Sequence, residues 1–362
     1  MKTNVTEILS HFIKDADAIP FGNGHINDTY LVETRPNYIL QRISTKVFPE
    51  PEKVMENIAS VLEHVKKKIV ENGGDPLRET MQLMYTLDGK PFYKDPGGDY
   101  FRLYTYVFDT YACDRADTPE TFAESAHAFG KFQKMLADFP AEKLHEVIPQ
   151  FHDTANRLRQ FEEALANNAA GRADKVAEEI SFVKAHAHLV STITDAIADG
   201  SVPLRVTHND TKLNNVLFDN KTHKAICVVD LDTVMPGSML YDFGDALRFG
   251  ASTGAEDETD LEKIEFDLDY FRAFAMAYIE ELGDVLTPPE RELLPMSALM
   301  LTLECGTRFL ADHLNGDVYF HVHRENHNLD RARTQFKLVA DIETKLDRMT
   351  QIVDECFATL QK

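Results

Sequence analysis

The sequence predicts an α+β protein with two lobes, a small antiparallel-sheet lobe followed by a larger, mainly helical lobe. Strand and turn signals dominate residues 1–108, whereas apolar residues at helical spacing dominate residues 109–362. A chain of 362 residues is also long for one hydrophobic core. Both observations favour two lobes that meet near Asp109.

The first lobe is expected to begin with a helix and to continue as a sheet. Apolar residues recur at helical spacing from Val5 to Ala16, and a second helical pattern covers residues 54–69. Asp88-Gly89 is a strong hairpin signal. The expected strands are a pair within residues 19–33 around a glycine-containing turn, then 38–43, 81–87, 90–93 and 100–108.

The second lobe is expected to be helical, with one short β interruption between about Arg205 and Val229. Periodic apolar residues predict helices at residues 122–136, 151–167, 175–199 and after Phe266. A sheet lobe followed by a helical lobe is the order of elements in the protein-kinase-like fold. That fold is therefore the one the sequence predicts.

Composition argues against several classes of partner. A formal net charge of −22 repels nucleic acid and anionic membranes. The amphipathic N-terminal pattern is unlike the continuous apolar run of an export signal, and no apolar run is long enough to span a bilayer. We therefore expect a cytoplasmic protein with no obligate protein partner.

The four cysteines lack C-x-x-C spacing, which argues against disulfides or a thiolate zinc site.

One segment has the residues that phosphoryl transfer requires. Asp210 ends a His-Asn-Asp turn, Asn215 lies five residues later, and a predicted β-hairpin returns the chain to Asp230. The hairpin would bring Asn215 and Asp230 together as oxygen ligands of the kind Mg²⁺ prefers. The reaction also needs a carboxylate beside the attacking hydroxyl and a cation beside the transferred group. We therefore predict an enzyme that uses ATP and Mg²⁺.

The expected roles follow from those requirements. Asp210 is the predicted base, Lys212 the catalytic cation on the phosphates, and Asn215 and Asp230 the metal ligands, with Asp232 as a second metal candidate. A simple turn without catalytic function is the alternative interpretation. The H-x-D-x-x-x-x-N spacing, together with a strand-terminal aspartate, makes it the weaker one.

Two neighbouring residues are expected to support the loop. His208 is expected to brace it by hydrogen bonding, because Asp210 already supplies the base. For Asp242, two interpretations stay open. It either accepts hydrogen bonds from the catalytic-loop backbone or is an acid favoured by the N-terminal end of a helix dipole.

The predicted nucleotide contacts in the first lobe depart from the usual kinase pattern. Many kinases carry a phosphate-binding lysine on the third strand, where this chain has Gln41 and Arg42. Either residue could substitute for the lysine, but strand alternation allows only one of them to face the cleft. Gly22 and Gly24 form a short glycine turn that is expected to approach the nucleotide.

These motifs resemble the aminoglycoside phosphotransferase and choline kinase-like family. The segments that carry the resemblance are residues 22–30, 206–215 and 229–248. Within the family, further blocks at residues 24–27, 235–240, 248–252, 304–306 and 308–312 resemble the N-acetylhexosamine 1-kinases. The resemblance implies ATP-dependent phosphorylation of the anomeric hydroxyl of GlcNAc or GalNAc. It also implies sugar contacts from His25, Asp210, Asn215, Asp230, Arg308 and Tyr319.

The resemblance also divides the work between the lobes. It implies nucleotide binding by residues 1–108, and catalysis with substrate binding by residues 109–362. Two other functions stay open. A kinase of the same fold could act on another hexose, an amino alcohol or homoserine. A nucleotide-binding pseudoenzyme is compatible with the missing strand lysine, but the intact Asp210, Lys212, Asn215 and Asp230 argue against it.

Overall fold

The computed structural model describes residues 5–22 and 26–360. The strands, numbered in chain order, are β1 (Ala18–Pro20), β2 (Asp28–Val32), β3 (Tyr38–Ile43), β4 (Leu83–Met84), β5 (Tyr93–Lys94), β6 (Tyr100–Thr105), β7 (Thr110–Tyr111), β8 (Arg205–Thr207), β9 (Val216–Asp219), β10 (Ala225–Val228) and β11 (Met235–Gly237). The helices are α1 (Val5–Leu9), α2 (Pro51–Glu71), α3 (Pro76–Glu79), α4 (Pro119–Met135), α5 (Thr154–Asn167), α6 (Ala177–Ala185), α7 (Thr192–Ala198), α8 (Met239–Gly250), α9 (Leu268–Leu282), α10 (Pro288–Asn315) and α11 (His327–Leu360).

The chain folds into two compact units that are discontinuous in sequence. The first unit comprises the chain up to Ala112, Met135–Pro149 and Asn215–Pro236. The second comprises Cys113–Lys134, Gln150–Asn214 and the chain from Gly237 onward. The division of functions after residue 108 stays a prediction.

The first unit contains an antiparallel sheet in the order β1-β2-β3-β6-β4, in which β5 also pairs with β6. Gln41 of β3 lies opposite Arg102 of β6 in this sheet. Helix α1 and the turns after it cover one face, where Leu9 and Phe12 pack with Leu40 and other apolar residues of β2, β3 and β6. The predicted α+β class and kinase-like arrangement of elements are confirmed.

Two local predictions in this unit were wrong. The first helix ends at Leu9, because the amides of Phe12 and Ile13 both donate to the Leu9 carbonyl in a tight turn. The buried apolar positions nevertheless agree with the predicted periodicity. The Asp88-Gly89 turn is present, with Gly89 at φ 82°. Its flanking strands do not pair with each other, however, because β4 and β5 each hydrogen-bond to β6.

The predicted catalytic hairpin is confirmed. Strands β9 and β10 pair antiparallel with Val216 opposite Val228, and β7 extends the pair on the β9 side. Beyond the last pair, the amide of Val229 donates to the carbonyl of Asn215 at 2.9 Å. The open end of the hairpin therefore presents Asn215 and, one residue after Val229, Asp230.

The second unit is built around α10, which packs against α5, α8 and α11. Thr287 and Glu290 form a reciprocal capping box at the start of α10. Gly244 of α8 permits a close helix crossing, since a Cβ there would lie 2.4 Å from the carbonyl oxygen of Ser297. Among the described residues, no helix is long and apolar enough to cross a membrane.

The expected long helix at residues 175–199 is interrupted, because α6 ends at Ala185 and α7 begins at Thr192. His186 terminates α6, and its Nδ1 lies 2.7 Å from the carbonyl oxygen of Phe182. Its Nε2 lies 3.0 Å from Glu343. The contact between His186 and Glu343 joins residues far apart in the chain. The apolar periodicity of residues 175–199 therefore could not predict it. The helices expected after Phe266 are present as α9, α10 and α11.

Candidate active site

The loop that contains Asp210 follows β8 in the second unit and is held by Asp242. The backbone amides of His208 and Asn209 donate to the two carboxylate oxygens of Asp242, at 2.9 and 2.7 Å. Asn209 adopts a left-handed backbone conformation with φ 64°. Asp242 lies in the first turn of α8, where the helix dipole also favours an acid. The interpretation of Asp242 as an acceptor for the catalytic-loop backbone is confirmed.

The environment of Asp242 is almost closed to solvent. Burial raises the pKa of this carboxyl, while the amide donors and the Gln133 side chain act in the opposite direction. A buried carboxylate with several donors has few alternative conformations of low energy. Asp242 is therefore a rigidly held hydrogen-bond acceptor for the backbone at the start of the loop.

His208 braces the loop from inside, as predicted. Its ring is fully buried and edge-on to Phe129 and Phe132. Its Nδ1 accepts a hydrogen bond from the backbone amide of Asp210 at 3.3 Å. His208 thus supports the loop through the backbone of Asp210.

A second carboxylate holds the other end of the loop. Asp245 accepts the backbone amide of Thr211 at 3.2 Å, and the Thr211 hydroxyl donates to the Asp242 carbonyl at 2.7 Å. Burial would raise the pKa of Asp245, but Arg248 and other nearby cations lower it overall. Asp245 therefore remains ionised, and α8 contacts the loop on both sides of Asp210.

The side chains of Asp210 and Lys212 form an ion pair, with Nζ 2.9 Å from Oδ1. The Asp210 charge raises the pKa of Lys212 despite burial of the ammonium group. Lys212 is therefore protonated at any physiological pH. A carboxylate and a permanent cation thus lie side by side at the surface of the loop.

The predicted metal ligands lie in the first unit, at the open end of the hairpin. Asp230 has a left-handed backbone with φ 59° and ψ 64°, which turns the chain sharply after β10. Asn215 and Asp230 offer amide and carboxylate oxygens, which suit Mg²⁺. Within residues 5–22 and 26–360, no three His, Cys, Asp or Glu side chains form a metal cluster.

The predicted nucleotide contacts of β3 lie on opposite faces of the strand. Arg42 pairs with Asp28 and Asp99 at the surface. Gln41 points the other way, and its Oε1 accepts two hydrogen bonds from Arg102. Gly22 has the left-handed φ of 75° that favours glycine. Gly24 and His25 lie outside the described residues.

Arg102 was missed by the sequence reasoning. It is fully buried in β6 and forms an ion pair with Asp232, the residue predicted as a second metal ligand. Asn27 also donates to Asp232, at 2.7 Å. An arginine inside the apolar run Tyr100–Thr105 was the available signal, since a charged side chain at a buried position requires a partner.

The predicted sugar contacts Arg308 and Tyr319 lie in one region of the second unit. The Arg308 guanidinium lies 5.4 and 5.5 Å from the ring centroids of Phe151 and Phe320. The Tyr319 ring contacts Phe320 edge-on and is 63% exposed, so it is available to a ligand. Both residues therefore belong to an aromatic surface that carries a positive charge.

A buried ion pair that the sequence did not reveal connects this region to the catalytic loop. His152 Nδ1 lies 2.9 Å from Glu304, and its Nε2 lies 3.3 Å from the carbonyl oxygen of Asn209. Thr154 donates to the other oxygen of Glu304 at 2.7 Å. Burial opposes both charges, yet the pair raises the pKa of His152 and lowers that of Glu304. The pair therefore favours the charged form of both residues.

The second unit also contains a cavity of about 300 Å³ beside the loop residue Leu213. The Arg248 side chain, paired with Asp245 and Glu256, lies at its wall with Phe249. This volume is at the lower end of the range for small-molecule sites.

Comparison with known proteins identifies the family. A model described as the phosphotransferase enzyme family matches residues 17–282, which is well over half of the chain. The chain belongs to this family. The match includes both the Asp210 loop and the Asn215–Asp230 hairpin, so these features lie in the segment shared with other phosphotransferases.

Solved structures of other phosphotransferases have a similar fold. A microcompartment-associated aminopropanol kinase has a TM-score of 0.66 at 16% identity, covering 96% of this chain and 98% of its own. Spectinomycin phosphotransferase, in complex with ADP and spectinomycin, has a TM-score of 0.57 at 13% identity, covering 95% and 97%. The ethanolamine kinase of Plasmodium vivax has a TM-score of 0.53 at 14% identity, covering 89% and 82%. At these identities, the likeness shows the fold alone.

The His152–Glu304 pair predicts a pH-dependent stability. The pKa of His152 is raised above its ordinary 6.5, so its contribution is complete below pH 6.5 and is lost as pH rises through the raised value. The pKa of Glu304 is lowered below 4.5, so its contribution is complete above pH 4.5. Glu304→Gln should therefore lower the free energy of unfolding by about 3–5 kcal/mol near pH 6, and by less at higher pH.

Urea unfolding between pH 5.5 and 9 measures this loss. Glu343→Gln is the matched control, because Glu343 contacts His186 from an exposed position. Its effect should stay below about 1 kcal/mol. A loss for Glu304→Gln that does not change with pH would contradict the ion-pair assignment.

Proposed function

We propose that this chain is an ATP- and Mg²⁺-dependent kinase that phosphorylates the anomeric hydroxyl of N-acetylhexosamines. The products would be the sugar 1-phosphate and ADP. The observation that carries the proposal is the Asp210–Lys212 pair on a loop fixed at both ends by α8. This arrangement matches the requirement of phosphoryl transfer for a positioned carboxylate and an adjacent cation. ATP and Mg²⁺ are both available in the cytoplasm, where we expect the enzyme to act.

In the proposed reaction, Asp210 orients the anomeric hydroxyl and accepts its proton. The sugar oxygen forms a bond to the γ-phosphorus of ATP, and the bond from that phosphorus to the bridging oxygen breaks to release ADP. Lys212 would offset negative charge on the transferred phosphoryl group. Asn215 and Asp230 would hold Mg²⁺, which supplies charge neutralisation on the phosphates when it is bound.

Five residues are the proposed nucleotide contacts. They are Lys212 of the catalytic loop and, earlier in the chain, Gly22, Gly24, Gln41 and Arg42. Of the two β3 side chains, Gln41 is held by Arg102, whereas Arg42 is held by surface acids. Screening by solvent weakens the exposed Arg42 pairs, so this arginine can exchange partners at low energetic cost.

The acceptor assignment is supported by the charge around Arg308. His25, Asn215, Asp230, Arg308 and Tyr319 are the proposed sugar contacts, with Asp210 at the reacting hydroxyl. Burial and the Arg308 charge lower the pKa of Arg157, which indicates that two guanidinium groups share this region. In this region a neutral sugar can use a guanidinium as a hydrogen-bond fork and Tyr319 as a stacking surface.

The test is an ADP-release assay with ATP and Mg²⁺ across a panel of acceptors. The panel contains GlcNAc, GalNAc, glucose, galactose, ethanolamine, aminopropanol, choline and homoserine. We expect turnover with the two N-acetylhexosamines, and phosphorus NMR of the product should show a 1-phosphate coupled to the anomeric proton. Transfer to C6, or turnover confined to the amino alcohols, would contradict the proposal and favour the alternative acceptor class.

Asp210→Asn should lower kcat by at least about a hundredfold, because the amide cannot accept the proton. Titration calorimetry should give an ATP affinity within about threefold of wild type, since the loop is held through its backbone. Asp347→Asn, a change of the same kind at an exposed helical position, is the control and should retain full turnover. Near-normal kcat in Asp210→Asn would remove Asp210 as the base.

A further inference from the structure

Arg102 is a buried charge to which the proposed reaction assigns no role. It lies in the middle of β6 with 1% of its surface exposed, beside the apolar residues Phe101 and Leu103. Enclosing a guanidinium in this way is costly unless its donors are satisfied. The position of its partners therefore indicates what the residue does.

The Arg102 guanidinium has two hydrogen-bond acceptors and one charged partner. Nε and Nη2 donate to Oε1 of Gln41 at 3.0 and 2.8 Å, and Nη1 donates to Sδ of Met55 at 4.0 Å. Nη1 also forms an ion pair with the Asp232 carboxylate. The guanidinium also lies over the Tyr104 ring, 5.2 Å from its centroid. With these contacts and almost no exposed surface, Arg102 is poorly placed to contact a nucleotide directly.

Asp232 is held from a second side as well. Asn27 donates to its Oδ2 at 2.7 Å, and the Asn27 amide oxygen accepts the backbone N–H of Ser44 at 3.0 Å. Asp232 therefore connects the end of β3, the start of β2 and the middle of β6. All of these contacts lie within the first unit.

The fixed carboxylate lies two residues after the proposed metal ligand Asp230. Residues Leu231–Thr233 form a single turn of 3₁₀ helix, which Asp230 enters with a left-handed backbone. After the turn, the Val234 carbonyl accepts a hydrogen bond from Asn57 of α2 at 2.9 Å. The turn is thus restrained at Asp232 and at Val234, and this restraint limits where Asp230 can point.

We propose that Arg102 is a positioning residue for metal binding, which acts through Asp232 to fix the orientation of Asp230. The inference rests on the proposed function, because it takes Asp230 as a ligand of nucleotide-bound Mg²⁺. Partners that orient metal ligands commonly change metal affinity by 10- to 100-fold. Arg102 would act in this way from β6, without contacting the phosphates.

The test is a Mg²⁺ titration of ATP binding by calorimetry, run without acceptor so that it does not depend on turnover. Arg102→Met and Asp232→Asn should each raise the Mg²⁺ concentration needed for half-maximal ATP affinity by about 10- to 100-fold. Arg102→Lys, which keeps the charge but not the fork, should give a smaller shift. ATP affinity at saturating Mg²⁺ should stay within about threefold of wild type.

Arg78→Met is the matched control, because Arg78 pairs with Asp219 at 2.7 Å at the opposite end of the same hairpin. It should lower thermal stability without moving the Mg²⁺ dependence. Two results would overturn the proposal. One is an unchanged Mg²⁺ dependence in folded Arg102→Lys and Asp232→Asn. The other is weaker ATP binding at saturating Mg²⁺ as the main defect, which would indicate direct phosphate contact.

The calorimetry separates this proposal from the proposed function. If wild type binds ATP in a Mg²⁺-dependent manner and the Arg102 variants shift that dependence, the positioning role stands even where no sugar is phosphorylated. If wild type binds ATP independently of Mg²⁺, the positioning role is wrong whatever the acceptor assay gives.

Discussion

The carboxylate of Asp242 is the constraint on which the rest of the site depends. It receives the amides of His208 and Asn209 and is closed off from solvent. Burying these two peptide N–H groups without acceptors would cost several kcal/mol of folding free energy. Conformations of the loop that lose the Asp242 contacts are therefore unfavourable. Asp210 follows Asn209 directly, so the backbone position of Asp210 is fixed by the same contacts.

A second property of the site is that several of its charged side chains occur in opposite pairs. Asp245 lies between Arg248 and the loop, Lys212 pairs with Asp210, and His152 pairs with Glu304. Isolated buried ions are strongly unfavourable, whereas paired ions with additional hydrogen bonds can be retained. The chain carries a net charge of −22, yet each of these pairs supplies a local cation.

The sequence predicted those features that depend on short-range spacing. The hairpin from Asn215 to Asp230 could be predicted because turn residues and β-forming residues alternate within a short segment. The role of His208 could be predicted because the residue it braces is two positions away. The family resemblance then joined the separate motifs into one fold, which the family match supports.

The features that sequence did not predict depend on contacts between distant segments. Arg102 meets Asp232, and His152 meets Glu304, across long stretches of chain that carry no shared periodicity. Strands β4 and β5 each pair with β6 and not with each other, and this pairing also depends on tertiary contacts. Single-sequence patterns specify which side chains will be buried, but they do not specify which partner each buried charge will find.

Hydrogen exchange measured by mass spectrometry tests the central constraint most directly. Peptides that cover residues 206–212 should exchange slowly in the wild-type protein, because the amides of His208 and Asn209 donate hydrogen bonds to the Asp242 carboxylate. Asp242→Asn should accelerate exchange in those peptides while peptides from β9 and β10 remain unchanged. Fast exchange of the 206–212 peptides in wild type, or unchanged exchange in Asp242→Asn, would contradict the account.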